Sequence, residues 1–230
     1  MISQSVLEKI LFFDLETTGE VATLDQLDER KAALWHKRCD LLRSKYPETN
    51  AELTDEQMWE EKAGLHPEFG RIVCASYGYI KEGEMKLTSY YGEDEVDILE
   101  KSKKLISNVG SKGYSLCGHT VKRFDVPYLG KRLMMKGICP PDLLNMYNKK
   151  PWEINVIDIA EVWSFGSWQE GFVGLDTMCA VFDVESPKTD MHGSRVHDQF
   201  YKGNIEKIKT YCENDVRATI EVFQKFCMLP

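Results

Sequence analysis

The sequence predicts an α/β fold in which a mixed five-stranded sheet is flanked by helices. Two observations support this prediction. An apolar run near the start of the chain leads into a pair of acidic residues, and a hairpin pattern further along is followed by alternating strand and helix patterns. A hairpin joins antiparallel strands and a helical crossover joins parallel ones, so the sheet is expected to be mixed.

The first predicted strand covers residues 9–16. Its apolar side chains, from Ile10 to Phe13, do not alternate with polar ones. This pattern is typical of a central strand that is covered on both faces. Gly19 is expected to end the strand, because glycine weakens a strand interior.

A helical insertion is predicted at about 21–62, between the first two strands. It consists of two charged, helix-forming segments, 24–46 and 54–62. The next two segments, 71–80 and 84–91, are rich in β-branched and aromatic residues and are separated by a short turn with glycine, which predicts a β-hairpin.

The second half of the chain alternates between helix and strand patterns. A helix is predicted over 93–109, a strand over 114–117, a helix starting near Pro127, a last strand over 155–159, and a final helix capped by Asn204. The residues expected to face inward from the first of these helices are Val96, Leu99, Leu105 and Ile106. The apolar stripe of the final helix is Ile205, Ile208, Cys212, Val216, Ile220 and Phe223. Loops are expected over 165–174 and 183–194.

Length and composition favour one globular domain over residues 1–230. Hydrophobic residues make up 43% of the chain and charged residues 29%, which excludes a disordered or fibrous protein. No apolar run reaches the roughly 18 residues of a membrane span, and the first residues lack the pattern of a secretory signal. We therefore expect no membrane association.

The net charge is −8, from 29 basic and 37 acidic residues, which argues against a protein that coats duplex DNA with a broad basic face. An enzyme that holds a few phosphates through metal ions remains compatible with this charge. The seven cysteines form no C-x-x-C pair, which indicates reduced thiols in a cytoplasmic protein. The five histidines have no ligand spacing with them, so no zinc site is expected.

Asp14 and Glu16 are the first candidate site residues. Six acidic-x-acidic pairs occur in the chain, but only this one follows the apolar run of a predicted buried strand. Residues two apart in a strand point to the same side, so the two carboxylates are expected to repel each other unless a cation or a proton intervenes. Mg²⁺ or Mn²⁺ suits such oxygen ligands. Strand-end acids that cap a turn are the structural alternative.

Asp125 and the pair Tyr211 and Asp215 are the other candidates. Asp125 lies beside a predicted helix N-terminus, where simple capping would also explain it. Tyr211 and Asp215 are one helical turn apart at the border of the apolar stripe, and a surface hydrogen bond is the alternative explanation.

Weaker candidates lie in polar loops or are isolated aromatic residues. Four could approach a substrate but fit a solvated loop better: Lys188, His192, Arg195 and His197. Three could stack on bases but fit core or loop anchors better: Trp152, Trp163 and Trp168.

Three ordered segments together resemble exonuclease motifs I, II and III of the DEDD 3′-5′ exonucleases. They are 12–19 (FFDLETTG), 118–129 (GHTVKRFDVPYL) and 211–216 (YCENDV). The Tyr-x-x-x-Asp form of the third motif resembles the tyrosine subgroup, and the chain is most similar to proteins related to the proofreading domain of family-B DNA polymerases. Segments 66–78 and 191–196 are also similar, so the resemblance covers nearly everything outside the insertion.

The resemblance implies a ribonuclease H-like fold and a set of site residues. Four acids would bind two Mg²⁺ or Mn²⁺ ions: Asp14, Glu16, Asp125 and Asp215. Tyr211 would position the attacking water and complete the catalytic set. Five neighbours would contact the substrate: Leu15, Thr17, Thr18, Thr120 and Phe124. Relatives usually have asparagine where this chain has Thr120, which puts that one contact in doubt.

The activity that the resemblance implies is hydrolysis of terminal phosphodiester bonds at the 3′ ends of single-stranded DNA or RNA, with DNA favoured. The products would be nucleoside 5′-monophosphates. Two alternatives remain open: a catalytically silent nucleic-acid-binding module of the same fold, and a haloacid-dehalogenase-like phosphatase, whose first strand also ends in a similar acidic pattern.

Overall fold

The computed structural model describes residues 4–167, 173–188 and 191–227. The strands in this part of the chain are β1 Ile10–Gly19, β2 Gly70–Lys81, β3 Glu84–Tyr91, β4 Ser115–Gly118 and β5 Val156–Asp158. The α-helices are α1 Gln4–Leu7, α2 Glu29–Lys45, α3 Pro47–Asn50, α4 Asp55–Lys62, α5 Glu95–Gly110, α6 Asp125–Met135, α7 Ile159–Ser164, α8 Leu175–Val181, α9 Val196–Tyr201 and α10 Ile205–Cys227. None of the described helices is long and apolar enough to span a membrane.

The strands form one five-stranded sheet in the order β3-β2-β1-β4-β5. β1 pairs antiparallel with β2, and β2 with β3, whereas β1 with β4 and β4 with β5 are parallel. The structure thus confirms the predicted mixed sheet and places the first strand at its centre.

β1 is covered on both faces, as its unbroken apolar run predicts. Ile10 and Phe12 pack on one face with α10, where the rings of Phe12 and Phe223 lie 5.5 Å apart. Leu11 and Phe13 pack on the other face in the cluster that includes α5 and α6. Successive side chains continue to point to opposite faces at the polar end of β1, and this alternation determines which face Asp14 and Glu16 occupy.

A buried ion pair fixes α6 against α5 and β2. Arg132 Nη2 lies 2.5 Å from Glu95 Oε2, and Glu95 Oε1 also accepts a hydrogen bond of 2.8 Å from the backbone N–H of Ile72. Burial is tolerable for these charges because each is paired and hydrogen-bonded. The contact orients α6, whose first residue is Asp125.

The insertion has its own aromatic core and packs against the end of β1. The rings of Trp35 and Trp59 meet edge to face at 5.2 Å, and Trp59 Nε1 donates to the carbonyl of Val21 at 3.0 Å. A Cβ atom at Gly19 would lie 3.1 Å from the Trp59 indole, so glycine permits this close approach.

The helix expected near Pro127 begins at Asp125, so Pro127 lies in its first turn as predicted. Other expectations are wrong: Val96, expected to face inward, is 46% exposed. The first insertion helix starts at Glu29 rather than at residue 24. Asn204 directly precedes α10, and its backbone carbonyl accepts from the N–H of Ile208 at 3.4 Å, while its side-chain amide donates to Gln199.

Candidate active site

Asp14 and Glu16 lie on the α10 face of β1. They share this face with Ile10 and Phe12, since residues two apart point to the same side of a strand. Glu16 is buried and Asp14 half-buried. Pairing with β2 shifts register between Glu16 and Thr17, and such a bulge redirects the strand next to the acids.

α10 places Tyr211 and Asp215 above these two acids. The two residues are one turn apart, at the border of the buried stripe that includes Cys212 and Val216. The Tyr211 hydroxyl donates a hydrogen bond to the Asp215 carboxylate. Both side chains are half-buried and line the same cavity as Asp14 and Glu16, so the pair lies beside the first two acids rather than on an open helix face.

Asp125 reaches the site from the first turn of α6. It is buried, and its Oδ1 accepts a hydrogen bond of 3.1 Å from the backbone N–H of Leu15. Capping does not explain it fully, because the carboxylate bonds a different element, β1. Asp125 thereby ties the second predicted motif to the first.

Burial and mutual repulsion raise the pKa values of the four acids. Burial is the largest cause for each, and neighbouring carboxylates add to the rise for Asp14 and Glu16, whose pKa values lie well above their usual range. The pKa of Asp125 is raised to about 8 and that of Asp215 to about 6. The hydrogen bond from Tyr211 lowers the pKa of Asp215, so it limits that rise. Without a cation, the cluster would hold protons at neutral pH.

Burial, followed by the charge of Asp215, raises the pKa of Tyr211 far above its usual range. The phenol is therefore protonated at all physiological pH values. Tyr211 can donate a hydrogen bond, but it cannot act as a ready base.

The four acids and Tyr211 line one cavity of about 390 Å³. The other lining residues are Leu15, His119, Thr120, Phe124, Gly174, Leu175, Asp176, Thr177, Pro187 and Lys188. Three of the five residues expected to contact substrate are in this set: Leu15, Thr120 and Phe124. The four acids, Tyr211 and three of the five expected substrate contacts are thus brought together around a single opening.

Thr17 and Thr18, also expected to contact substrate, belong to an adjoining cavity of about 150 Å³ that shares Leu15, Glu16 and Phe124 with the first. Thr17 Oγ1 donates to the Gly64 carbonyl at 2.7 Å. Thr18 Oγ1 lies 2.9 Å from Nδ1 of His197. Both hydroxyls have protein partners.

Thr120 has a backbone conformation that is rare for a β-branched residue, with φ +57°. Its N–H donates to Asp158 Oδ1 at 2.9 Å, and its hydroxyl lies 3.0 Å from His119 Nδ1. Nε2 of His119 in turn lies 2.8 Å from the Val173 carbonyl. Because a carbonyl only accepts, Nε2 is the donor in the bond to Val173.

Asp158 is a positioning residue that sequence reasoning missed. It is 1% exposed and accepts hydrogen bonds from the N–H groups of Thr120, Lys122 and Ala160. It therefore holds the turn that leads from β4 into Asp125. The available signal was its place at the end of a predicted strand, which it shares with Asp14.

The weaker candidates differ in whether they line a cavity or bond to other parts of the protein. Lys188 lines the acidic cavity and lies 3.3 Å from Asp176, whereas Arg195 lines a neighbouring cavity that also includes Tyr211. Buried His197 bonds Thr18 and the Ala22 carbonyl and is structural, while His192 is exposed.

Among the tryptophans, Trp163 packs against Phe182 and Phe226, so it is a core residue. Trp152 is 76% exposed. Trp168 lies outside the described residues.

The donor set fits a divalent cation. One ligand atom each from Asp14, Glu16 and Cys212 lie within 4.8 Å of one another, with the carboxylates of Asp125 and Asp215 lining the same cavity. Four carboxylates around one opening need positive charge to be ionised together. Hard cations such as Mg²⁺ and Mn²⁺ prefer such oxygen ligands.

The mixed five-stranded sheet with flanking helices is a ribonuclease H-like fold, and the acidic cavity lies beside its central strand. The chain belongs to a family described as predicted 3′-5′ exonucleases related to the exonuclease domain of PolB, whose model matches residues 65–230. No curated relative matches the chain significantly.

A solved structure supports the fold assignment. The family B DNA polymerase from the hyperthermophilic archaeon Pyrobaculum calidifontis is similar, with a TM-score of 0.59 and 14% identity. The match covers 94% of this chain and 24% of that polymerase, so the chain spans about a quarter of its length. At this identity the likeness shows the fold alone.

Proposed function

We propose that this protein is a divalent-metal-dependent 3′-5′ exonuclease that removes nucleoside 5′-monophosphates from single-stranded nucleic acid, preferably DNA. The observation that carries the proposal is the convergence of Asp14, Glu16, Asp125, Asp215 and Tyr211 on one cavity. Family membership supports the reaction class. The metal requirement, the strand preference and the residue roles are the parts that need experiment.

The four acids would hold Mg²⁺ or Mn²⁺, which supplies Lewis acidity and an activated water when it is bound. Tyr211 is protonated and already donates to Asp215. Its hydroxyl is therefore suited to orient a water beside that carboxylate. Asp158 contributes at a distance by fixing the turn that precedes Asp125.

Apolar and basic neighbours suggest how a strand would lie. Leu15 and Phe124 line both the acidic cavity and its smaller neighbour, so they are placed to contact the terminal nucleotide. Tyr211 also lines a second cavity of about 550 Å³, in which the exposed cations Arg195 and Lys207 outnumber the one acid, Glu206. We assign this cavity to the backbone phosphates of the preceding nucleotides, because cations attract them.

A ladder assay tests the proposal. A single strand labelled at its 5′ end should shorten stepwise with Mg²⁺ or Mn²⁺, should be protected by a blocked 3′ end, and should survive in excess chelator. Undiminished hydrolysis in chelator, or cleavage of a closed circle, would contradict the proposal. Binding without hydrolysis would indicate the silent module, and activity confined to small phosphate monoesters would indicate a phosphatase.

A further inference from the structure

A buried thiol lies directly against the acid cluster. Cys212 follows Tyr211 on α10 and is 0% exposed. Its Sγ is 3.4 Å from Oδ2 of Asp14 and 3.4 Å from the Asp14 carbonyl oxygen. The proposed reaction assigns this sulfur no role.

The sulfur and two carboxylates are spaced as ligands of a single ion. One atom each from Asp14, Glu16 and Cys212 lie within 4.8 Å of one another. Three ligands at metal–ligand distances of about 2.0–2.3 Å lie roughly 3.3–4.0 Å from one another, so the three atoms can contact the same ion once their side chains move inward. Asp14 and Glu16 line the cavity, which provides the entry path.

A second thiol lies beside the first. Cys74 is opposite Glu16 in the β1–β2 ladder and is also fully buried. It interacts with the thiol of Cys212 and with the carboxylate of Glu16. The acid pair therefore has a thiol next to it on β2 and another on α10. On the side of the cavity its neighbours are the carboxylates of Asp125 and Asp215.

We propose that Cys212 makes the Asp14–Glu16 position a mixed oxygen–sulfur site that binds thiophilic divalent ions, of the Zn²⁺, Cd²⁺ and Co²⁺ class, with its sulfur as a direct ligand. Soft thiolates select such ions, whereas Mg²⁺ gains nothing from sulfur. On binding, the S–H bond is replaced by a sulfur–metal bond and the proton leaves to solvent, with no change of oxidation state. Thiophilic ions then compete with Mg²⁺ for this position.

This inference deepens the proposed function and rests on its metal position, but not on its reaction. The test is titration of the metal-free full-length protein with Cd²⁺ and with Co²⁺, followed by the ultraviolet charge-transfer absorption of a sulfur–metal bond. We expect one such bond per chain in the wild type. Cys212→Ser should remove the absorption and weaken Cd²⁺ binding by at least about 10- to 100-fold. Its affinity for Mg²⁺ should change by less than about 3-fold.

Two matched variants control the test. Cys117→Ser alters an equally buried thiol on β4 and should keep the absorption. The double variant Asp14→Asn/Glu16→Gln keeps all the thiols and the packing of Cys212, and it should lose the sulfur–metal absorption. This result can be obtained even if Cys212→Ser fails to fold. Melting curves identify any variant that does not fold.

Three results would overturn the inference: no sulfur–metal absorption in the wild type, absorption that is unchanged in Cys212→Ser, or absorption that survives in the double acid variant. The proposed function fails separately. If Mg²⁺ and Mn²⁺ support no strand hydrolysis while the absorption behaves as expected, the exonuclease proposal is wrong and the mixed-ligand site stands.

Discussion

The backbone N–H of Leu15 and the Asp125 carboxylate, 110 positions apart in the chain, are joined by a hydrogen bond of 3.1 Å. The pairing of β1 with β4 ends at Phe12 and Cys117, so Leu15 lies beyond the reach of that strand. The Asp125 side chain of α6 therefore accepts the hydrogen bond that the carbonyl of a neighbouring strand would otherwise accept. The same bond fixes the position of a proposed metal ligand, Asp125.

Two substitutions at Asp125 separate these roles. Both Asp125→Asn and Asp125→Ala remove the charge and should abolish strand hydrolysis, but only asparagine keeps an oxygen that can accept from Leu15. Leaving this buried N–H unpaired costs about 1–3 kcal/mol, so the alanine variant should be less stable than the asparagine variant by that amount. Denaturant unfolding in chelator measures the difference, and equal stabilities would show that the bond contributes nothing.

Metal ions should stabilise the protein more as the pH rises. In the folded, metal-free protein, burial raises the pKa of Asp125 to about 8 and that of Asp215 to about 6, against 3.8 for an ordinary aspartate. The folded state then binds protons more tightly than the unfolded state. The contribution of these acids to stability is therefore most favourable at low pH and is lost as the pH rises through about 4 to 8.

Thermal melts with Mn²⁺ and with chelator measure this effect. The gap between the two melting temperatures should widen between about pH 5.5 and pH 8, because the ion replaces the protons. Asp125→Asn/Asp215→Asn should flatten the trend. A gap that stays constant or narrows in the wild type would contradict the proposed origin of the pKa shifts.

Tyr211 and Asp215 should differ sharply in what they contribute. Asp215→Ala removes a proposed metal ligand and should abolish catalysis and weaken Mn²⁺ binding. Tyr211→Phe deletes one hydroxyl and keeps the ring. If that hydroxyl only orients the water, the rate should fall roughly 10- to 100-fold, about 1.4–2.7 kcal/mol of barrier.

Single-turnover rates measured against Mn²⁺ concentration distinguish the two variants. Tyr211→Phe should change the rate but not the Mn²⁺ midpoint. Near-wild-type rates for both would mean that the Tyr-x-x-x-Asp spacing reflects helix geometry alone.

Arg195 and Lys207 should increase the affinity for oligonucleotides but should not affect the hydrolysis of single-nucleotide substrates. Arg195→Ala/Lys207→Ala should weaken binding of an oligonucleotide and make the slope of log affinity against log salt shallower by about 1.4, or 0.7 per lost phosphate contact on a single strand. Hydrolysis of a nucleotide aryl ester, which has no preceding phosphates, should be unchanged. The matched control is Lys101→Ala/Lys103→Ala on α5, which removes the same charge away from the cavities. An equal effect in this control would show that the loss of net positive charge, and not the position of Arg195 and Lys207, weakens binding.

Hydrophobic pattern predicted the sheet well because β1 is buried on both faces and the β2–β3 hairpin is local in sequence. Helix starts were less predictable. The helix predicted to start at residue 93 begins at Glu95, where Asp94 caps it by accepting from the N–H groups of Val96 and Asp97. Such errors of a few residues arise because caps, rather than apolar residues, set where a helix begins.

The candidate acids were predictable because each belongs to a short motif, whereas their supporting contacts were not. Asp158 acts on Thr120 from 38 positions away, and Cys212 meets Asp14 across 198 positions. No spacing rule could indicate that a thiol on a helix contacts a carboxylate on a strand so far away in the sequence. The reverse holds for Thr17 and Thr18. The first motif predicts that they contact substrate, but their hydroxyls bond to other groups of the protein.

The long separation of Asp14 from the residues of α10 has a consequence for synthesis. β1 leaves the ribosome long before α10, yet the cluster remains incomplete until α10 has emerged and packed across the sheet. A nascent chain lacking that helix would carry two closely spaced, unbalanced carboxylates and an uncovered apolar strand. The proposed nuclease activity would therefore appear only after α10 had been translated.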